Sequence, residues 1–202
     1  MMRPMASGII DNIAILLAIA LTYTTLRPGK GREPKTFGKI GVGFLLGLIG
    51  TLLIFQGTSF APNSLFHVPS VLFLLSGLFF GAVPTVTAVA LTSLFSVYQG
   101  GAWVWTGVCG TFVTALVGLL WKELRGSKRG PFSLAELYLA GLTAHISLLL
   151  SMIAFSREAL GKVFPLILLP LLGLFPLATM LLGKLMVNRD LRWETETKVR
   201  EG

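Results

Sequence analysis

The chain has 202 residues, of which 53% are apolar and only 13% are charged, and its formal net charge at pH 7 is +8. In soluble domains roughly a quarter of the residues are charged. This composition therefore excludes a soluble globular protein and predicts a protein embedded in a membrane. The single cysteine, Cys109, excludes an internal disulfide and any metal site built from several cysteines.

The positive charge is concentrated in three clusters. They lie in a first connection at residues 27–39, in a second connection at 122–129, and at the C-terminal end from residue 184. Basic residues mark the cytoplasmic ends of membrane helices, so the clusters predict anchoring against anionic lipid and no binding of nucleic acid. With all three clusters inside, the N-terminus lies outside, the C-terminus lies in the cytoplasm, and the number of crossings is odd.

Apolar segments of about 20 residues, the length that crosses ~30 Å of hydrocarbon, recur along the chain. The first, residues 7–26, is too long for the apolar core of a signal peptide and has no small-residue cleavage motif, so we expect it to be retained as a span. We expect residues 1–187 to form the transmembrane domain and the charged tail, 188–202, either to fray or to extend the last helix. Further spans are predicted at residues 38–56, 102–121, 132–154 and 163–187.

The apolar segment at residues 68–98 is too long for one crossing, because as a single helix it would extend about 46 Å. The sequence GAVP at 81–84 interrupts it, and Pro84 lacks a backbone N–H and clashes with the preceding turn. We therefore expect two short helices, at 68–81 and 84–98. Either these two helices form a re-entrant hairpin and five full spans cross the membrane, or both of them cross it and the chain has seven crossings. We favour the first, an all-α polytopic bundle of five full spans plus a broken-helix hairpin.

Two helix breaks are predicted in this segment, one at Gly81 and Pro84 and one at Gly100 and Gly101. Small residues let membrane helices pack closely, which is the simpler interpretation of these glycines. Breaks at membrane depth also free backbone groups that protein, water or a ligand must satisfy. The breaks therefore favour a polar cavity beside them.

A few polar residues interrupt the apolar spans. Asp11 and Asn12, near the outer end of the first span, are either functional or interfacial, because an intramembrane carboxylate is costly. His145 stands alone among apolar residues in GLTAHISLLL and is either a packing residue or a ligand donor that titrates near neutrality. Cys109 is expected to be a small buried core residue. No phosphate loop, nucleophile elbow or HExxH motif is present, so we expect no enzyme activity, cofactor or metal.

The segment GLFFGAVPTVTAVALTSLFSVYQGG, residues 77–101, resembles the core motif of the LytS-type five-transmembrane receptor region. That motif runs D-x-R-S-V-P, then G-L-F-G-G-P, then Y-R-x-x-x-G-G. DNIAILLAIAL at 11–21 is similar to the family's opening, and LPLLGLFPLATMLLGKL at 169–185 is similar to its final helix. The charged tail resembles the linker into a PAS or kinase domain. The region is the sensory membrane domain of bacterial histidine kinases and some diguanylate cyclases.

The chain departs from the family pattern at charged positions. The family's aspartate falls on His67, its first arginine on Pro69 and its second on Ser96, whereas its serine is kept as Ser70. Two arginines would clamp a small carboxylate, so their absence implies a neutral ligand, another cation or a degenerate site. His67 either replaces the missing polar groups or is an exposed loop residue. The predicted ligand-binding residues are His67, Ser70, Ser96, Tyr98, Gln99, Asp11, Asn12 and His145.

The resemblance implies a receptor domain in the bacterial cytoplasmic membrane that binds a small molecule and signals through its C-terminal helix, as a homodimer. The chain carries no kinase, PAS or cyclase segment. Its output is therefore expected to be a separate cytoplasmic partner, a lost function or the rest of a longer receptor. Two alternatives stay open, a substrate-binding membrane subunit or small-solute transporter, and an assembly protein with a dry interior and no ligand.

Overall fold

The computed structural model describes residues 36–55, 59–61, 64–65, 69–101, 104–126, 130–155 and 168–201. Its helices are α1 (Thr36–Phe55), α2 (Ser70–Leu75), α3 (Ala82–Gln99), α4 (Val104–Arg125), α5 (Leu134–Phe155) and α6 (Phe175–Glu201). A π-helical segment, π1 (Ser76–Phe80), continues α2, and a second, π2 (Pro170–Leu174), precedes α6. Between α1 and α2 a short antiparallel pair forms from β1 (Ser59–Ala61) and β2 (Ser64–Leu65).

The predicted all-α membrane bundle is confirmed. Five of the described helices are long and apolar enough to cross a membrane: Thr36–Ile54, Ala82–Gln99, Val104–Arg125, Leu134–Ile153 and Leu171–Arg189. Their exposed side chains are largely leucine, valine and phenylalanine, as lipid contact requires, so the chain is a multi-pass membrane protein. The predicted first span, at 7–26, lies outside the described residues.

The segment predicted as a hairpin of two short helices has unequal halves. The six residues of α2 and the five of π1 together extend about 16 Å, whereas the 18 residues of α3 extend about 27 Å. The break falls at Gly81, where φ is 85° and ψ is −175°, and not at Pro84. Pro84 lies in the first turn of α3, where its missing N–H would have no intrahelical acceptor in any case.

Side-chain hydrogen bonds hold this break. Thr85 Oγ1 donates to the carbonyl of Gly81 at 2.7 Å, and the Ser76 hydroxyl lies 2.9 Å from Thr85 Oγ1. Because Thr85 donates its only hydroxyl proton to the Gly81 carbonyl, Ser76 is the donor in the second bond. Both hydroxyl side chains are buried, and their bonds stabilise the tip of the hairpin.

Close glycine contacts fix the relative direction of α1 and α3. A methyl group at Gly43 would meet Pro84, and one at Gly50 would meet Thr92. The contacts advance along both helices together, so α1 and α3 run parallel to each other.

The same reasoning applies to α4 and to the short helix, by which we mean α2 together with π1 (residues 70–80). A methyl group at Gly77 in π1 would meet the backbone of Gly118 in α4, and one at Gly81 would lie 3.4 Å from Lys122 Nζ. The short helix therefore runs parallel to α4, and its tip at Gly81 reaches the level where α4 ends.

The helices α4, α5 and α6 alternate in direction, because later residues of one helix contact earlier residues of the next. The contacting pairs are Gly110 with Leu148, Arg125 with Glu136, Gly141 with Thr179, and Gly183 with Leu137.

Together these directions gather the described basic residues of all three clusters at one end of the bundle. We call it the basic end, and the opposite one the far end. The described basic residues at the basic end are Lys39, Lys122, Arg125, Lys184 and Arg189.

The connection between α4 and α5 is clamped at the basic end. Arg125 Nε donates to Glu136 Oε1 at 3.1 Å, and its guanidinium lies 4.1 Å from the centre of the Phe132 ring. Ser133 and Glu136 exchange hydrogen bonds in a capping box that starts α5. The Phe132 ring also packs against Phe79 of π1, with centroids 5.5 Å apart. The tip of the short helix is thereby joined to this connection.

Candidate functional site

The short helix begins inside the bundle and not at its surface. Its tip, Gly81, is at the basic end, so Ser70 lies about 16 Å deeper along the helix axis, roughly halfway across a ~30 Å hydrocarbon layer. Every residue of α2 is buried. The first N–H groups of a helix lack intrahelical acceptors and carry a partial positive charge. The start of α2 thus brings backbone donors that have no acceptor within their own helix to mid-depth.

Ser70, at this start, meets His145 of α5. Their Oγ and Nε2 atoms are 3.1 Å apart, although the residues are 75 positions apart in sequence. The other ring nitrogen, Nδ1, lies 2.6 Å from the carbonyl oxygen of Gly141. A carbonyl oxygen can only accept, so Nδ1 carries a proton. His145 is fully buried, and both of its ring nitrogens are engaged within the protein.

Further hydroxyl side chains lie at a similar depth on α3 and α4. Ser93 is 12 residues past Gly81, and Thr111 and Thr114 precede Lys122 by 11 and 8 residues. At about 1.5 Å per residue, they lie roughly 12–18 Å from the basic end, as Ser70 does. All three are buried. We call the set the mid-depth belt, which consists of Ser70, Ser93, Thr111, Thr114 and His145.

One hydroxyl of the belt has no hydrogen-bond partner within the described part of the chain. Among the described residues, Ser93 Oγ is the one buried side-chain oxygen or nitrogen without a hydrogen bond. Thr111 and Thr114, in contrast, donate to carbonyl oxygens of their own helix. A buried polar group left unpaired costs about 1–3 kcal/mol, so Ser93 is a place where an additional molecule would stabilise the fold.

The belt is polar but uncharged within the described part of the chain. Every described Lys, Arg and Glu side chain between residues 36 and 189 lies at the basic end. Over the same residues no group of three or more His, Cys, Asp or Glu is placed to hold a metal ion. The belt can therefore offer hydrogen bonds to a ligand, but no charged side chain among the described residues lies at its depth to neutralise a charged ligand.

The structure brings together two of the predicted ligand-binding residues, Ser70 and His145. Ser96 is buried one turn further towards the far end, and its hydroxyl donates to the carbonyl of Thr92. Tyr98 is 88% exposed and Gln99 is also exposed, so neither joins the belt. The reason is that α3 continues past the belt to the far end of the bundle.

The remaining predicted positions have mixed outcomes. Gly100 and Gly101 end α3 with φ of 70° and 114°, as helix breaks do. Cys109, expected in the core, is a free thiol that is only partly buried. Asp11, Asn12 and His67 lie outside the described residues.

Sequence reasoning missed Ser93, Thr111 and Thr114. A usable signal was present, because Ser93 with Ser96 and Thr111 with Thr114 are hydroxyl pairs spaced by three residues, which places each pair on one helix face. In an otherwise apolar helix, such a pair marks a face turned away from lipid.

A model of the family described as 5TMR of 5TMR-LYT, a five-transmembrane receptor region, matches residues 13–189. No curated protein and no solved structure matches the chain.

Proposed function

Because the chain belongs to the five-transmembrane receptor family 5TMR-LYT, as its sequence predicted, we propose that it binds a small molecule within the bundle and signals through α6. The family makes the matched region a membrane sensory domain, and a receptor domain is not itself catalytic. The finer proposals are the ligand site, its chemistry and the route of the signal.

One observation carries the ligand proposal, namely that a buried helix starts at mid-depth beside a belt of hydroxyl groups. A helix that begins inside a membrane protein exposes backbone donors that a bound molecule can satisfy. Ser93 Oγ adds a buried group without a partner among the described residues. A small ligand with hydrogen-bonding groups fits both features.

The chemistry of the belt favours an uncharged ligand. Burying a carboxylate without a counter-charge is costly, and the family's two arginine positions are Pro69 and Ser96 here. We therefore propose a small neutral solute bearing hydroxyl or amide groups.

The proposed route of the signal is α6, which runs unbroken from Phe175 to Glu201 and passes the basic end at Arg189. A ligand shifts such a helix only through a difference in affinity between two states. We propose that the sensor domain, 1–187, acts as a homodimer in a bacterial cytoplasmic membrane. Residues 188–202 would pass the shift to a cytoplasmic signalling partner, for example a histidine kinase of a two-component system.

A thermal-unfolding screen of the purified chain tests the ligand proposal. Small neutral hydroxy and amide compounds are compared with small carboxylates. A ligand at a hundredfold excess over its Kd stabilises the folded state by about 2.7 kcal/mol, so at least one neutral compound is expected to raise Tm. Ser70→Ala should weaken this shift. Ser96→Ala should retain it, because the Ser96 hydroxyl is bonded within its own helix.

Two results would contradict this assignment. Either no compound shifts Tm, or the shift is the same in wild type and in Ser70→Ala. Flux assays in proteoliposomes address the alternative of a solute carrier, which a helix that starts at membrane depth also favours. A stabilising compound that crosses with the protein and not without it would assign transport.

The gathering of basic residues at one end leads to the proposal that this end is cytoplasmic. We expect an impermeant maleimide applied to intact cells to label Tyr98→Cys at the far end and not Gly202→Cys, both in a Cys109→Ser background. Inverted vesicles should give the reverse pattern. Labelling of Gly202→Cys in intact cells would overturn the orientation.

A further inference from the structure

His145 of α5 contacts two other elements of the bundle, α2 and α6, as well as its own helix. It bonds Ser70 at the start of α2 and Gly141 in its own helix, and its ring lies 5.3 Å from the ring of Phe175, the first residue of α6. No part of its side chain is exposed. His145, predicted from the sequence as a packing residue or a ligand donor, is therefore the member of the belt that lies between the start of α2 and α6.

The hydrogen bonds of His145 have a fixed direction. Nδ1 donates to the Gly141 carbonyl. No described residue supplies a counter-charge to the buried ring, so the ring is neutral and Nε2 is an acceptor. The Ser70 hydroxyl must then donate its only proton to Nε2. Any further partner of Ser70 Oγ can only donate to it.

The packing around His145 leaves little room for α5 and α6 to move independently. A methyl group at Gly141 would come within 2.9 Å of Pro176 and 3.1 Å of Thr179. The two helices are thus in backbone contact one turn from His145. A displacement of the ring would be transmitted to α6, because packed interfaces of this kind change between discrete arrangements.

We propose that His145 is the positioning residue that joins the proposed ligand site to α6. Because Ser70 donates its only proton to His145, Ser70 Oγ can only accept a hydrogen bond from the ligand. The ligand group at this point is therefore a donor such as a hydroxyl or an amide N–H. His145 also carries a movement of Ser70 to the first turn of α6. The ligand part rests on the proposed function, whereas the coupling of α2 to α6 does not.

Nitrogen NMR on the full chain in nanodiscs tests the geometry. The chain has two histidines, so His67→Gln leaves His145 as the only imidazole signal. We expect a neutral ring protonated at Nδ1, and a change confined mainly to the Nε2 resonance in Ser70→Ala. Ser96→Ala is the matched control, because Ser70 and Ser96 are 4% and 5% exposed, and it should alter neither resonance. An Nε2-protonated ring, or no response to Ser70→Ala, would overturn the assignment.

Hydrogen exchange of the same variants without ligand tests the coupling. Loss of one buried hydrogen bond is expected to speed local opening about fivefold. Ser70→Ala should therefore raise exchange in the first turns of α6 as well as in α2, whereas Ser96→Ala should not affect α6. In a His145→Phe background, Ser70→Ala should have no further effect on α6.

Faster exchange in α2 with none in α6 would overturn the coupling. Should His145→Phe fail to fold, the Ser70→Ala measurement decides the question by itself. Because no ligand is added, the exchange experiment tests the coupling independently of the ligand site. It can contradict the coupling while the thermal screen supports the ligand site, and it can support the coupling while the screen finds no ligand.

Discussion

Replacement of Gly77 by alanine is expected to destabilise the bundle by about 3 kcal/mol, at the upper end of the cost of overpacking a core. The added methyl group would lie 2.7 Å from the backbone nitrogen of Leu119 and 2.8 Å from the carbonyl oxygen of Ala115. Both are main-chain atoms of α4, so no side-chain rotation relieves the clash. The short helix would have to move away from α4.

The measurement is the free energy of unfolding in detergent, with Gly41→Ala in α1 as the matched control. A methyl group at Gly41 would meet nothing within 4 Å, and alanine is the better helix former by about 1 kcal/mol. The control should therefore be neutral or slightly stabilised. Equal stabilities of Gly77→Ala and Gly41→Ala would show that π1 and α4 do not pack as described.

Replacement of Gly81 by alanine is expected to cost about 2–3 kcal/mol for a different reason, namely backbone strain. Its φ of 85° with ψ of −175° belongs to a region that is essentially restricted to glycine. Space is not the limit, because the nearest atom to an added methyl group is the flexible Lys122 Nζ at 3.4 Å. The strain would act on the turn that holds Ser76 and Thr85 together.

Asparagine at position 81 separates strain from simple loss of glycine. Asparagine tolerates the left-handed helical region, but not positive φ combined with ψ near 180°, so Gly81→Asn should be as damaging as Gly81→Ala. Gly130→Ala, at an exposed position with open space and no positive φ, is the control. A Gly81→Asn protein as stable as wild type would contradict the described turn.

Several features were determined by the sequence alone. The length and low charge of the apolar segments fixed the membrane class, since only helices of about 20 residues satisfy their backbone across hydrocarbon. The order of the motifs identified the family, and GAVP located the break to within three residues. These features are local, because they depend on segment length, composition and the conformational limits of glycine and proline.

Other features were decided by the tertiary structure. The start of α2 at mid-depth follows from the contacts of Gly77 and Gly81 with α4, and the meeting of Ser70 with His145 joins residues 75 positions apart. The same register places Ser93 in the belt and leaves Tyr98 exposed. The physical reason is that the periodicity of one helix states which residues share a face, but not the height at which that face meets another helix. That height is set by backbone contacts between helices, which no single segment contains.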